Sequence, residues 1–538
     1  MTPRAAALAA ALVFTMPLVG VTQPTAPRLL VVLVVDQMRA DYVSRFDPHW
    51  KRGFRTLLDD GAVFERAAYP YLNTITCAGH ATIASGTLPR THGMILNRWW
   101  HREERQTLNC TDDEASPNIT YGRPVRLGNS AKRLLVPTLA DELRGQRPGA
   151  RVVSLSLKAR SAIGLAGHGG DVVTWFDATA GSFATSRAFA PRPVEAMQEF
   201  ITRDPYEKDQ GRTWTLKDPP STYGSPDAGV GERPPTPWSG LFPHPLTGRA
   251  PLDALFFNLW QRSPFSDAYL ERMAVAMIDS LALGQRDSTD FLGVSFSALD
   301  DVGHDFGPRS REVEDLLRHL DGTVGALIAH LDRRVGRDRY VLALTADHGI
   351  VPIAQPGTTG RIVSEDVRER MEETLVNAFG PLDKGSYVDA VNFVHVYFAP
   401  GIFDRLRATQ AAMRAVQAAA MEIPGVARVL RSDELSDASA DPIVRAAALS
   451  HVNGRSGDLI VLPKEYWSMS ERNVVSATTH GTLYWYDTQV PVILFGGGIK
   501  PGHVESPISP ADIAPTLAHL AGIRMPQTQG RVLGEALK

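Results

Sequence analysis

The run Leu29–Val35 (LLVVLVV) is apolar at every position and ends on Asp36. A strand with one face in water would alternate apolar and polar residues. An unbroken, β-branched run of strand length is instead covered on both faces, as in a parallel sheet between two layers of helices. The pattern recurs at Arg151–Leu157 (RVVSLSL), Asp290–Ser297 (DFLGVSFS), Tyr340–Thr345 (YVLALT) and Val490–Phe495 (VPVILF), with amphipathic stretches such as Arg311–Val335 and Ser364–Phe379 between them. Strands alternating with helices predict an α/β fold, a doubly wound and mainly parallel sheet flanked by helices.

The 538 residues would suffice for several domains, yet the alternation runs through most of the chain. Residues 23–538 therefore read as one domain with two inserted cap segments. The first, at about 191–264, is rich in Pro, Gly and Trp and too long for an ordinary loop; the second, at about 382–462, holds the alternating run Ala390–Phe398 (AVNFVHVYF) and an alanine-rich helix, as a small α+β lobe would. Ahead of them, Arg4 precedes an uncharged apolar run from Ala5 through Val21, with small residues at Gly20–Thr22. This is the pattern of a secretory signal peptide over residues 1–22, and the run is at the short limit for a membrane anchor. A periplasmic or secreted location is expected, with no span in the mature chain. Cys77 and Cys110 are open to either state, a disulfide or a buried free pair.

With 56 basic against 59 acidic side chains the chain has no global attraction for nucleic acid or anionic lipid, and no nucleic-acid-binding motif is present. Any charged ligand must be held locally, and in open α/β sheets ligands bind beyond the C-terminal ends of the strands. Those ends carry Asp36, then Asp300-Asp301-Val302-Gly303-His304, then Asp347-His348-Gly349, and a late Thr479-His480-Gly481 follows. Hard carboxylates and borderline imidazoles converging on one sheet edge suit a divalent metal of the zinc type, although any single Asp there could be only a helix cap. A second constellation, Asn73-Thr74-Ile75-Thr76-Cys77-Ala78-Gly79-His80 continuing to Gly86, places Thr76 at or near a helix start, where anions are favoured. Alone, Thr76 would be an N-cap; beside metal ions, a threonine hydroxyl can become an alkoxide nucleophile.

Thr76-Cys77-Ala78-Gly79-His80, Asn97, the D-x-x-G-H of Asp300–His304, Asp347-His348-Gly349 and His480, in this order, resemble the alkaline phosphatase superfamily, in its branch related to type I phosphodiesterases and nucleotide pyrophosphatases. The resemblance runs from Asp36 to about Leu520. It implies two Zn2+ per chain, one held by Asp300, His304 and His480, the other by Asp36, Asp347 and His348 with the Thr76 oxygen. It also implies that Asn97 contacts a non-bridging phosphoryl oxygen. Lys158-Ala159-Arg160, after the strand at Arg151–Leu157, is similar to the clamp of threonine-type bacterial alkaline phosphatases, in which Lys and Arg grip the free oxygens of a monoester. The plain reading of the two is as solvated residues opening the next helix. The resemblance implies small-molecule phosphate monoesters as substrates, a phosphothreonine intermediate and net retention at phosphorus, and it leaves room for secondary phosphodiesterase activity.

Two other functions remain open on the residues alone: a nucleotide pyrophosphatase or phosphodiesterase that carries K-x-R, and a non-catalytic exported protein that binds metal or phosphate. A sulfatase is disfavoured, because the C-x-P-x-R pattern is absent around Cys77. Gly496-Gly497-Gly498 fits neither a dinucleotide fingerprint nor a P-loop and reads as a turn. His80, His92 and His168 are expected to be hydrogen-bonded structural residues, and Asp301 and Asp305 to flank the ligands without joining them.

Overall fold

Seven consecutive residues of the first strand, β1 (Leu29–Val35), are buried, and alternate ones face different cores. Leu29, Val31, Leu33 and Val35 belong to one hydrophobic cluster, while Leu30, Val32 and Val34 belong to another on the opposite face. This two-sided burial is what the unbroken apolar run requires. The computed structural model describes residues 26–538 except 126, 249–252 and 356; the signal-peptide reading of residues 1–22 lies outside them.

The strands that follow are β2 (Ala62–Phe64), β3 (Asp112–Thr120), β4 (Gly128–Asn129), β5 (Val152–Ser156), β6 (Val172–Asp177), β7 (Ser182–Ser186), β8 (Asp290–Phe296), β9 (Tyr340–Thr345), β10 (Val492–Gly496) and β11 (Gly502–Val504). Among the described residues they form one sheet of eleven strands in the order β11-β2-β10-β9-β1-β8-β5-β6-β7-β3-β4. The central five, β9-β1-β8-β5-β6, are parallel. Antiparallel pairs, β10 on β9 and β7 on β6, extend the sheet at either side. The sheet is thus mainly parallel at its centre and mixed at its edges. One face is covered by the helices Pro264–Ser280 and Arg311–Arg334, the other by Leu139–Gln146 and Ile513–Ala521, whose apolar residues fill the two clusters.

Register positions the chemistry. Val35 pairs with Phe296 and Val34 with Thr345, so β1, β8 and β9 end at the same level, and β5 ends beside β8 through Ser156 and Ser295. The residues after these ends, from Asp36, Asp300, Asp347 and Lys158, are delivered to one edge. No described helix is long and apolar enough to cross a membrane.

The 191–264 segment is not a free flap. Trp214 and Trp238 are buried in the main core, and the Trp214 indole N–H donates to Asp315 on the helix Arg311–Arg334 at 2.6 Å. The alternating run Ala390–Phe398 folds back on itself: Val388–Asn392 and His395–Phe398 are antiparallel partners, and Phe393 takes the left-handed conformation, φ 54°, at the turn. With Leu459–Pro463 and Val426–Arg431 they complete a four-stranded sheet. The helix Ser364–Phe379 lays Val367, Met371 and Leu375 into that small sheet's core rather than the main one.

Candidate active site

Backbone at the end of β1 turns sharply. Gln37 has φ 71°, an uncommon conformation for a residue with a side chain. It lets Gln37 N–H donate to Asp347 Oδ1 at 3.1 Å while its side-chain amide donates to Asp300 Oδ1 at 2.5 Å. One residue therefore ties together three strand ends. Asp300 and His304 lie on helix α2 (Ala298–Phe306), four residues apart and hence on one face, with His304 Nε2 3.3 Å from Asp300 Oδ1. His480 comes from an irregular loop, held by Asp487 Oδ2, which accepts from Gly481 N–H, Thr482 N–H and the Thr482 hydroxyl.

The three expected histidines are oriented alike. Nδ1 of His304 meets the Thr478 carbonyl at 2.9 Å, Nδ1 of His348 the Gly349 carbonyl at 2.9 Å, and Nδ1 of His480 the Thr74 carbonyl at 3.0 Å. A carbonyl has no proton to give, so each Nδ1 is the donor and, in the neutral ring, each Nε2 is left with a lone pair. Those Nε2 atoms face carboxylates: His348 lies 3.5 Å from Asp36 Oδ1 and 3.3 Å from Asp347 Oδ2, and His480 lies 3.7 Å from Asp300 Oδ1. Among the described residues, Asp36 Oδ1 is buried without a hydrogen-bond donor, and Asp347 Oδ2 has the His80 imidazole beside it, Nδ1 at 3.2 Å. Lone pairs facing lone pairs in a buried site repel unless a cation sits among them, so this donor set fits divalent metals.

Among the described residues, two groups have ligand atoms close enough to share an ion, Asp300 with His304 and His480, and Asp36 with Asp300 and His348. All six residues proposed from sequence as protein ligands are thus brought into one cluster. Asp300 reaches both groups, while Asp347 stands beside the second through His348.

Charge in the cluster is lopsided. Burial, with Asp300 and Asp347 nearby, raises the Asp36 carboxyl well above its ordinary range. Burial opposes ionisation of Asp300 too, but Lys158 and His304 outweigh it and hold that carboxyl well below the usual range. Burial lowers His348, and burial together with His348 lowers His480 well below the ordinary imidazole range, which keeps both rings neutral as ligation demands. The two rings stack with centroids 3.6 Å apart. Lys158 Nζ donates to Asp36 Oδ2 at 2.6 Å and also to Asp300 Oδ2. Burial works against its charge, yet Asp300 and Asp36 hold the ammonium protonated above its ordinary range. Lys158 is thereby inside the cluster rather than in solvent.

Thr76 is the first residue of helix α1 (Thr76–Ser85); the extended Ile75 precedes it and no side chain caps the helix. Its hydroxyl is buried, 3.3 Å from His348 Nε2. The Gly in Thr76-Cys77-Ala78-Gly79-His80 has a steric reason: a Cβ on Gly79 would sit 2.2 Å from the Asp347 carbonyl, so only glycine lets α1 approach the end of β9. His80 bridges the Thr76 carbonyl and Ser295 Oγ, each at 2.9 Å; His92 bonds Thr82 Oγ1, and His168 bonds Asp141 at the surface. Asp305 pairs with Arg262 at 2.7 Å, and Asp301 lies 4.0 Å from the same guanidinium.

Asn97 accepts the Cys77 N–H on Oδ1 at 2.9 Å, leaving its amide nitrogen as the remaining donor. With His304, His480, Arg98, Phe393, Met469 and others it lines a cavity of about 280 Å3. Arg160, on helix α3 (Ala159–Ala166), has a buried Nε without an acceptor. Cys77 and Cys110 are joined as a disulfide. Sequence reasoning did not single out Gln37, Asp487 or Phe393. Gln37's place directly after a strand-ending Asp was a usable signal, whereas Asp487 and Phe393 act through contacts that only the folded chain makes.

Comparison with known proteins agrees with this geometry. Alkaline phosphatase PafA of Elizabethkingia meningoseptica is 31% identical over 517 residues, 93% of this chain and 92% of that protein. Alkaline phosphatase PhoV of Synechococcus elongatus is 29% identical, covering 95% of this chain and 93% of its own. The crystal structure of wild-type PafA superposes with TM-score 0.86 at 28% identity, over 96% of this chain and all of PafA's. Murine ectonucleotide pyrophosphatase / phosphodiesterase 5 shares the fold, with TM-score 0.57 at 13% identity. The buried Asp and His residues, the helix-opening threonine and the sheet edge that gathers them all lie between residues 30 and 483, the stretch over which the sequence matches one family throughout: the chain belongs to the type I phosphodiesterase / nucleotide pyrophosphatase family.

Proposed function

We propose that this protein is an alkaline phosphatase that hydrolyses small-molecule phosphate monoesters through a phosphothreonine intermediate, using two Zn2+ per chain. Asp300, His304 and His480 would hold one ion, and Asp36, Asp347 and His348 the other. When bound, the metals supply the Lewis acidity that lowers the pKa of the Thr76 hydroxyl and stabilises negative charge on the departing oxygen.

The chain's own groups account for positioning. Helix α1 directs Thr76 Oγ from its N-terminal end, where an anionic phosphoryl group is favoured. Thr76 Oγ attacks phosphorus, the bond to the leaving oxygen breaks, and water then cleaves the Thr76 phosphoester. Each displacement inverts phosphorus, giving net retention. Asn97 offers its amide nitrogen to a non-bridging oxygen, and Gln37 steadies Asp300 and Asp347.

The observation that carries the monoester reading is the place of Lys158 within the carboxylate cluster, with Arg160 two residues on. A monoester presents a dianion whose free oxygens require cations, whereas a diester carries a substituent on one of them. Lys158 has enough rotatable bonds to turn from its carboxylates to a phosphoryl oxygen, and Arg160 has an NH to spare. The family match makes a diesterase the second reading, and one assay separates them. Lys158→Ala with Arg160→Ala is expected to lower kcat/KM for an aryl phosphate by about a hundredfold or more, and for the matching diester by less than about tenfold. Equal losses on both substrates would contradict the clamp.

Export to the periplasm or medium is part of the proposal. It is supported by the apolar leader pattern of residues 1–22 and by the Cys77–Cys110 bond, since structural disulfides persist in oxidising compartments. We take residues 23–538 as one catalytic domain elaborated at about 191–264 and 382–462.

A further inference from the structure

We propose that the Cys77–Cys110 disulfide is a positioning element of the phosphoryl site, fixing Asn97 against Thr76. The inference rests on the roles given above to those two residues. Asn97 and Cys110 flank the hairpin formed by Arg98–His101 and Gln106–Asn109, so they face each other across its base. Cys110 N–H donates to the Asn97 carbonyl at 2.9 Å, and Cys77 N–H donates to Asn97 Oδ1 at 2.9 Å. The sulfur–sulfur bond joins the same two cysteines. Asn97 is thus held by main chain and side chain in a closed ring with both halves of the disulfide, and one of those halves is covalently next to Thr76.

Without the bond, Asn97 would be tied to the nucleophile by neutral hydrogen bonds alone, each a weak restraint on a residue 21 positions along the chain. Catalysis is sensitive to such slack, because a displacement of about 1 Å in a positioning group can cost roughly a hundredfold in rate. The disulfide also lines one small void, of about 10 Å3, together with Arg160, Ile163 and Gly164. Both cysteines are at most 3% exposed, which places the bond within the site's support rather than on the surface.

The test is a double-mutant cycle. Cys77→Ala with Cys110→Ala is made in the otherwise wild-type enzyme and in Asn97→Ala, and kcat/KM, bound metal and melting temperature are measured for all four proteins. If the disulfide acts through Asn97, opening it lowers kcat/KM by about tenfold or more in the first background with metal content unchanged, and by less than about twofold in the second. A disulfide that only stabilises would depress the melting temperature and leave kcat/KM, assayed well below that temperature, unchanged or equally reduced in both backgrounds; either result overturns the proposal. Should the Ala pair not fold, Cys77→Ala with Cys110→Val, which refills the volume of the second sulfur, is carried through the same cycle. The rates are read on whichever phosphoryl ester the wild-type enzyme turns over fastest. A wild-type preference for diesters would then refute the monoesterase reading while leaving this one to stand or fall by the cycle.

Discussion

Thr76→Ala is expected to lower kcat/KM for an aryl phosphate by at least about a thousandfold, because the variant lacks the hydroxyl proposed to form the covalent intermediate. The fold should be nearly indifferent to the change. Thr76 is not the capping residue of α1, no side chain caps that helix, and the hydrogen-bond contact of its hydroxyl is with His348. The loss of a buried methyl and hydroxyl costs about 1 kcal/mol, within the margin of a large domain. Bound metal should also be retained, since the imidazole and carboxylate donors are untouched. A variant that keeps near-wild-type turnover would remove Thr76 from the nucleophile role, and one that loses its metal would show that the hydroxyl contributes mainly to binding.

Asp300→Ala should be nearly as damaging, for a different reason. Asp300 is the one residue common to both groups able to hold an ion, and it also accepts from Gln37 and Lys158. Its removal is expected to reduce metal content in both positions and to lower kcat/KM by more than about a hundredfold, with a melting temperature that no longer responds to added zinc. Folding of the metal-free chain should survive, because taking away one of three crowded carboxylates relieves repulsion on Asp36. Asp301→Ala is the control: that side chain lies 4.0 Å from Arg262 and belongs to neither group able to hold an ion, so its loss should leave activity within about twofold. If the two substitutions had the same effect, Asp300 would have no special place in the site.

Much of the site could be read from the chain alone because parallel sheets impose a simple rule. Strands buried on both faces carry few polar residues, so their ends are visible, and the candidate ligands Asp36, Asp300 and Asp347 lie within a few residues of those ends. His480 has no strand directly before it to mark it, and its grouping with Asp300 and His304 came from the family pattern. What stayed hidden depends on contacts between distant segments. Gln37 is an ordinary glutamine until its positive φ aims both its amides at other strand ends. The alternating run around Phe393 shows no break in hydrophobic pattern, yet the chain reverses there, because the turn is set by backbone conformation rather than polarity. Lys158 and Arg160 could equally have been surface residues, and only the depth of the β5 end decides otherwise.

The position of β1 has a consequence for how the protein matures. The first strand of the described chain lies between β8 and β9, about half the molecule later in sequence, so the sheet's centre cannot close until most of the polypeptide is available. The donors span Asp36 to His480: one set is complete only once the chain reaches His348, the other only once it reaches His480. Metal uptake should accordingly be among the last events of assembly. A chain cut short before His480 would carry Thr76 and most of the sheet and is expected to remain catalytically silent, so that catalysis in this architecture doubles as a signal that synthesis has passed His480.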